Sequence, residues 1–441
     1  GKVDGLWDDV FALEDRVVSD LMSAMKIQLD STALDRIASP ETRHLKAYEH
    51  YAQGRKVFVE FGKDSLEQAR QEFEAAISLD PLYAMAHSGL GATYAMRFIH
   101  RTDPDDLSRA RGHLERAREL DPELAEPYPW LCFLYMRDRK LREALDAGQR
   151  AIQLQPDHVQ AHYFLGLAYF VSCEIDPNNY QSAANHLLEA ARIEPRWQPT
   201  WFVLAFLSLL NGNYERAEEF AHRLLQFSSE ESSTGRFIGA EMMLGTVFLR
   251  RGNSEAARAW YTRSLDVLSR LDHMYRDAMN SLSACGLGDV RLREGKPDLA
   301  LADYRRAWRI VQEYPRMMGR DRVATRTLAG LASAYAARGE VPRARELLLE
   351  AVEILEKAQP QSAAAGASLP DTYYAVAVAH ARTKDINAAL HMLEKAVQTG
   401  WRDPGWFERD SEMHPLRDEP RFLDLVQQVI HSAKVEFQVS R

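Results

Sequence analysis

The segment AHYFLGLAYFVSCEIDPNNYQSAANHLLEAARIEP, residues 161–195, holds one full copy of a phrase that the chain repeats. It opens on His162, passes through Leu165-Gly166 to Tyr169, and after a polar interruption runs Ala183, Leu187, Ala190 to Pro195. Small and bulky residues recur at three- and four-residue steps, which places them on one face of a helix. Proline then ends the phrase because it cannot continue the helix. Working outward, the second half returns as Ala69–Phe73–Ala76–Pro81, Ala110–Leu114–Ala117–Pro122 and Ala144–Gly148–Ala151–Pro156. Pro122, Pro156 and Pro195 stand 34 and 39 residues apart. A period in this range marks stacked helical hairpins, each unable to bury its apolar face alone.

The first half of the phrase recurs as His87…Leu90-Gly91…Tyr94, Leu244-Gly245…Phe248 and Leu287-Gly288. Variants are Leu131-Cys132…Tyr135, Leu204-Ala205 and Leu331-Ala332…Tyr335. Small residues there let helices approach closely, and large ones fill the neighbouring grooves. Asn211-Gly212-Asn213, Arg251-Gly252-Asn253, Glu294-Gly295-Lys296 and Arg338-Gly339-Glu340 read as turns between paired helices.

These motifs resemble the tetratricopeptide repeat family. The resemblance implies an all-α, right-handed superhelical solenoid of about nine hairpins over 41–400, with N- and C-terminal capping helices. The organisation expected is a junction helix over 1–40, units one to five over 41–229, units six to nine with longer helices over 230–400, and a cap over 401–441. Two stretches without helical period, SSEESSTG (228–235) and QPQSAAAGASLP (359–370), read as mobile links.

The ends differ from the repeats. Leu6, Val10, Leu13, Val17, Leu21 and Met25 form an apolar stripe at helical spacing. The stretch VFALEDRVVSDL (10–21), followed by AYEHYAQGR (47–55), is similar to the junction in bacterial signalling proteins where a TolB-like, kinase- or cyclase-linked domain precedes such repeats. That similarity implies a domain ahead of Gly1. DSEMHPLRDEPRFLDLV (410–426) resembles the closing helix of the same arrays.

Composition fits a folded chain: 46% hydrophobic and 27% charged residues in 441, with net charge -9. That acidic balance argues against nucleic acid as a partner. No apolar run approaches the roughly 20 residues of a membrane span, so no membrane insertion is expected. Cys132, Cys173 and Cys285 are scattered, with no CxxC pair, and fit a reducing, cytoplasmic setting, with a periplasmic one as the alternative.

The motifs of chemistry are missing. His158 and His162 have metal-ligand spacing, but His162 occupies an aromatic repeat position and Val159 stands where a zinc protease would carry Glu. GLGATY (89–94) belongs to a repeat helix, and no strand precedes it. We therefore expect no catalytic residues, no metal and no cofactor.

Two surfaces are candidates for binding. In units three to six, positions flanking the Leu-Gly pair are apolar: Phe133, Met136, Tyr163, Leu167, Phe170, Phe202, Phe206, Leu209 and Met242. They read either as a groove for a partner peptide or helix, or as core. The basic stretch 291–345, with Arg316, Arg320, Arg322 and Arg326, reads either as a solvated face or as a dock for an acidic partner. The function expected is a non-catalytic protein-interaction scaffold, part of a bacterial signalling protein. The alternatives are a subunit of a stable assembly, or the regulatory arm of an enzyme with its catalytic domain upstream. Oligomeric state is not legible in the sequence.

Overall fold

The computed structural model describes residues 42–432 apart from 61–62, 102, 175, 177–178, 230–236, 272, 274, 318 and 358–368. The N-terminal stripe and most of the two links fall outside these residues. Among the described residues the chain is all α, and its helices come in nine consecutive pairs, as the repeat count predicts. The pairs are α1 (Leu45–Phe58) with α2 (Lys63–Leu79), α3 (Ala84–Arg101) with α4 (Pro104–Leu120), and α5 (Pro127–Arg137) with α6 (Leu141–Leu154). Next come α7 (Val159–Val171) with α8 (Asn179–Ile193), α9 (Gln198–Leu210) with α10 (Tyr214–Ser229), and α11 (Ala240–Arg250) with α12 (Ser254–Ser269). The last are α13 (Arg276–Arg293) with α14 (Pro297–Glu313), α15 (Arg320–Ala337) with α16 (Val341–Lys357), and α17 (Leu369–Arg382) with α18 (Ile386–Gln398). A short α19 (Pro404–Arg409), a 3-10 turn (Ser411–Leu416) and α20 (Pro420–Ser432) close the described chain.

The chain divides into two compact bodies. One holds the described residues up to Arg97 together with Pro104–Pro127; the other holds Phe98–Asp103 and everything from Tyr128 onward.

The repeated alanines sit where helices cross. Ala69, Ala110, Ala144, Ala183, Ala217, Ala257, Ala300 and Ala344 are fully buried. The bulky residue after each alanine explains the glycines. In the first body Phe73 of α2 lies between α1 and α3, and a Cβ on Gly54 or Gly89 would meet its ring at 2.9 and 2.6 Å. In the second body Tyr304 of α14 sits likewise between Gly288 and Gly330, at 2.6 and 2.2 Å. Each ring thus locks its own hairpin to the next, the interlocking that a repeat array needs in place of a single core.

The predicted turns form. Gly212, Gly252, Gly295 and Gly339 take positive φ, between 71° and 84°. Arg139 and Lys384 hold the same left-handed position at φ 59° and 63°, in turns that carry no glycine signal.

Candidate functional site

The second body brings the C-terminal segment back onto its first helices. The Arg402 N–H donates to Leu210 O at the end of α9, at 2.9 Å. Asp403 accepts from the Tyr214 hydroxyl at the start of α10. Arg250, at the end of α11, donates to Leu209 O at 3.0 Å and to Asp371 of α17 at 2.6 Å. Its guanidinium also lies 4.4 Å over the Trp401 ring and 3.8 Å from the Asp403 carboxylate. Arg293, at the end of α13, donates twice to Asp410, at 2.7 and 3.1 Å, and covers the Trp406 ring at 4.8 Å. Tyr374 of α17 donates to Asp410 at 2.6 Å and stacks on Trp401 at 4.3 Å. Arg382 binds Glu412 at 2.5 Å. Residues 401–412 therefore reach across the first helices of four hairpins.

Local capping rules set this segment's own shape. Asp403 accepts from Trp406 N at 3.0 Å and starts α19; Asp410 accepts from Glu412 N at 3.1 Å and starts the 3-10 turn. Both carboxylates thus serve a nearby helix end and a distant cation at once.

Burial shapes the charges here. Asp403 is 1% and Asp410 0% exposed. Burial pushes the Asp403 carboxyl up, and Arg250 and the Tyr214 hydroxyl partly offset it. Burial works against the Arg293 cation, but Asp410 more than compensates and holds the guanidinium above its usual range. The Tyr214 and Tyr374 phenols are pushed up, first by burial and then by Asp403 and Asp410. Both stay protonated and can donate to those carboxylates.

Behind the segment lies a cavity of about 160 Å³, lined by Arg326, Asp289, Tyr261, Tyr304, Tyr374 and Trp406 among others. Its cations are matched by carboxylates, as in the ion pair of Arg326 with Asp289. Such pairing is a brace between hairpins.

The nine expected groove residues do not form an open wall. Phe133, Met136, Tyr163, Leu167, Phe170, Phe202, Leu209 and Met242 are all under 9% exposed, and Phe206 is half-buried. The chain's own rings cover them. Phe133 packs on Phe164 at 5.6 Å, Tyr163 on Trp197 at 6.4 Å, Phe170 on Phe206 at 6.2 Å and Phe202 on Phe237 at 5.5 Å. A side chain at Gly400 would meet Phe170 at 3.5 Å, so the returning segment reaches this wall as well. Successive first helices pack closely enough to turn their apolar flanks into core.

The expected acidic-partner dock does not hold as one surface either. Arg316 is exposed and Arg320 is half-buried with Asp321 3.8 Å away, whereas Arg326 faces the cavity and is spent on Asp289. Arg322 is half-buried. What the sequence reading missed is Arg250, Arg293, Trp401, Asp403, Trp406 and Asp410. Asp403-Pro404 and Asp410-Ser411-Glu412 have the residue types of helix starts, but nothing nearby points to the distant arginines.

His162 is a packing residue. Its Nε2 bonds to Pro156 O at 3.0 Å and its Nδ1 lies 3.1 Å from Nδ1 of His186. Donation to the carbonyl leaves His162 Nδ1 as acceptor, so His186 supplies the proton between the rings. His87, Pro81 O and His113 repeat the arrangement in the first body, at 3.2 and 3.1 Å. His158 caps α7. Among the described residues no group of three or more His, Cys, Asp or Glu is placed to hold a metal, and no helix is long and apolar enough to cross a membrane. The three thiols are buried, and burial pushes Cys132 up to about 12 and Cys285 up to about 11.

Known proteins match parts of the chain. The family described as MalT-like TPR region matches residues 203–414, and the tetratricopeptide repeat matches residues 134–196. Putative adenylate cyclase 3 of Rhizobium meliloti is 26% identical over 140 residues, covering 31% of this chain and 24% of that protein. Superkiller protein 3 of Schizosaccharomyces pombe is 24% identical over 282 residues, covering 54% and 19%. The matches thus span a quarter or less of these two relatives' length. Among solved structures, the APC/C hetero-tetramer Cut9–Hcn1 is similar at a TM-score of 0.46 and 15% identity, over 95% of this chain and 73% of that one.

Proposed function

Because the chain belongs to the tetratricopeptide-repeat family, we propose that it is a non-catalytic interaction scaffold whose first helices hold an extended segment of a protein partner. One observation carries the reading. The inner side of α9–α17 already accommodates a short segment of polypeptide, residues 401–412, through side-chain contacts to four hairpins, α9–α10, α11–α12, α13–α14 and α17–α18. A face that can seat one such segment has the spacing and chemistry to seat another. A second reading, that the chain is the regulatory arm of a larger bacterial signalling protein, draws on its similarity to a protein named as a putative adenylate cyclase.

The test is capture on the immobilised chain, purification of the retained protein and mapping of photo-cross-links. Cross-links clustered on α9–α17 support the reading. Cross-links confined to the exposed sides of the second helices, α10 to α16, overturn it.

A further inference from the structure

We propose that residues 400–413 are a self-ligand: they close the inner face of α9–α17 in cis, and the partner that displaces them is a peptide carrying indole rings and carboxylates. The proposal rests on the scaffold reading above and adds the chemistry and control of its site.

The segment is built like a bound peptide. It consists of a six-residue helix and the first half of a 3-10 turn, each started by its own aspartate. Its main-chain tie to the inner face is the Arg402 N–H to Leu210 O, and its other long-range ties run through side chains. Those side chains are the types that dominate peptide hot spots: Trp401 and Trp406, 0% and 5% exposed, and two aspartates against two arginines.

Lifting the segment away defines what replaces it. Arg293 loses Asp410, its carboxylate partner, and the Trp406 ring beneath its guanidinium. Arg250 loses Asp403 and Trp401 but keeps Asp371. Tyr214 and Tyr374 lose the carboxylates to which they donate. Arg382 loses Glu412 as well. The bared face therefore has three arginines each short of a carboxylate, two phenol donors and two empty ring sites. Aromatic and acidic side chains at the spacing of Trp401, Asp403, Trp406, Asp410 and Glu412 satisfy all of them. A basic or purely aliphatic peptide would leave Arg293 without its carboxylate and Arg250 with Asp371 alone.

The two ends keep the segment in place. It follows α18 directly and leads into α20, which packs back on α18 and α19. A tethered ligand acts at an effective concentration on the order of millimolar, so a free peptide must bind well to compete.

Two measurements on the full chain test this. Hydrogen exchange followed by mass spectrometry should show amides of 400–413 opening faster than those of α11 and α13. Release of all three regions at one common rate would mean the segment is core and would overturn the proposal. The second measurement uses a fluorescein-labelled peptide of residues 400–416, read by anisotropy with the full chain and with its Trp401→Ala variant. Weakening the cis contact should tighten trans binding by about tenfold or more, and adding Arg293→Glu should abolish it. Equal affinity for parent and variant, or equal affinity for a peptide with both aspartates changed to lysine, would overturn it. If Trp401→Ala does not fold, Asp410→Asn replaces it. A chain that captures a protein on α9–α17 yet fails both measurements keeps the scaffold reading and loses only the self-ligand.

Discussion

The first helices α5 to α9 and α11 to α17 come from one repeat phrase but fill their inner sides differently. In α7 and α9 most side chains are buried, and Phe133, Phe170 and Phe202 pack on other rings. In α11, α13 and α17 the inner positions hold Arg250, Arg293, Asp371 and Tyr374, paired with each other and with residues 401–412. One region gains stability from non-directional apolar burial, the other from a few matched charges whose geometry must be kept. On the scaffold reading proposed above, recognition falls to the second kind of surface, since polar groups discriminate between partners and a packed ring does not.

The sharpest way to break this contrast is to delete a ring from the apolar region. Phe133 is 1% exposed and packs on Trp130 and Phe164. Phe133→Ala should cost about 3–5 kcal/mol of unfolding free energy in urea titrations followed by far-UV circular dichroism. A loss under about 1 kcal/mol would show that the ring is an open-groove residue after all.

Removing a cation from the charged region should cost slightly less and respond to pH. Arg250→Met takes the cation from the buried Asp403 carboxylate, a loss of about 3 kcal/mol at neutral pH. Protonating that carboxylate, which burial already pushes up, relieves the loss, so the gap between variant and parent should narrow toward about pH 4. The Phe133→Ala gap should not. A pH-independent gap for Arg250→Met would mean the arginine acts as packing over Trp401 rather than as a charge.

The same contrast explains what was legible in the sequence. Alanines, Leu-Gly pairs and glycine turns act within one hairpin or between neighbours, so their spacing along the chain is their spacing in space. Nine pairs could be counted that way. Phe133 and Phe170 could be located but not assigned, because apolar side chains at helical spacing look the same in a groove and in a core. The charged closure was invisible for another reason. Arg293 and Asp410 are 117 positions apart, and Tyr214 and Asp403 are 189 apart. No local pattern links such partners, and in the sequence Arg293 is one arginine in a basic stretch.

A smaller effect comes from the paired histidines. Burial and the neighbouring ring push His186 down to about 4 from 6.5, and His113 likewise. The unfolded chain then binds more protons between those values, so the pairs stabilise fully above about pH 6.5 and lose their contribution as pH falls toward 4. Glu74 near His113 and Glu189 near His186 oppose the shift. Each pair should account for about 1–2 kcal/mol of acid sensitivity, and His186→Phe should flatten the profile by one pair's share. An unchanged profile would place the acid response elsewhere.

The smallest effect separates backbone from side chain and should be the same in both regions. Arg139 closes the turn of the α5–α6 hairpin and Lys384 that of α17–α18, both at positive φ where four sister turns use glycine. The hydrogen bonds match: Lys140 N to Tyr135 O at 2.9 Å and Asp385 N to His380 O at 3.0 Å. A residue with a Cβ loses about 1–2 kcal/mol in the left-handed region. Glycine avoids that strain but gives the unfolded chain more freedom, at a cost of about 0.4–1 kcal/mol. The difference leaves Lys384→Gly more stable by about 0.5 kcal/mol. Arg139→Gly should match it within error, since the gain lies in the backbone and not in what the hairpin packs against. If Lys384→Gly instead destabilises, the lysine stem contributes more to the α17–α18 turn than its φ costs. The charged region would then be held together at its turns as well as at its inner face.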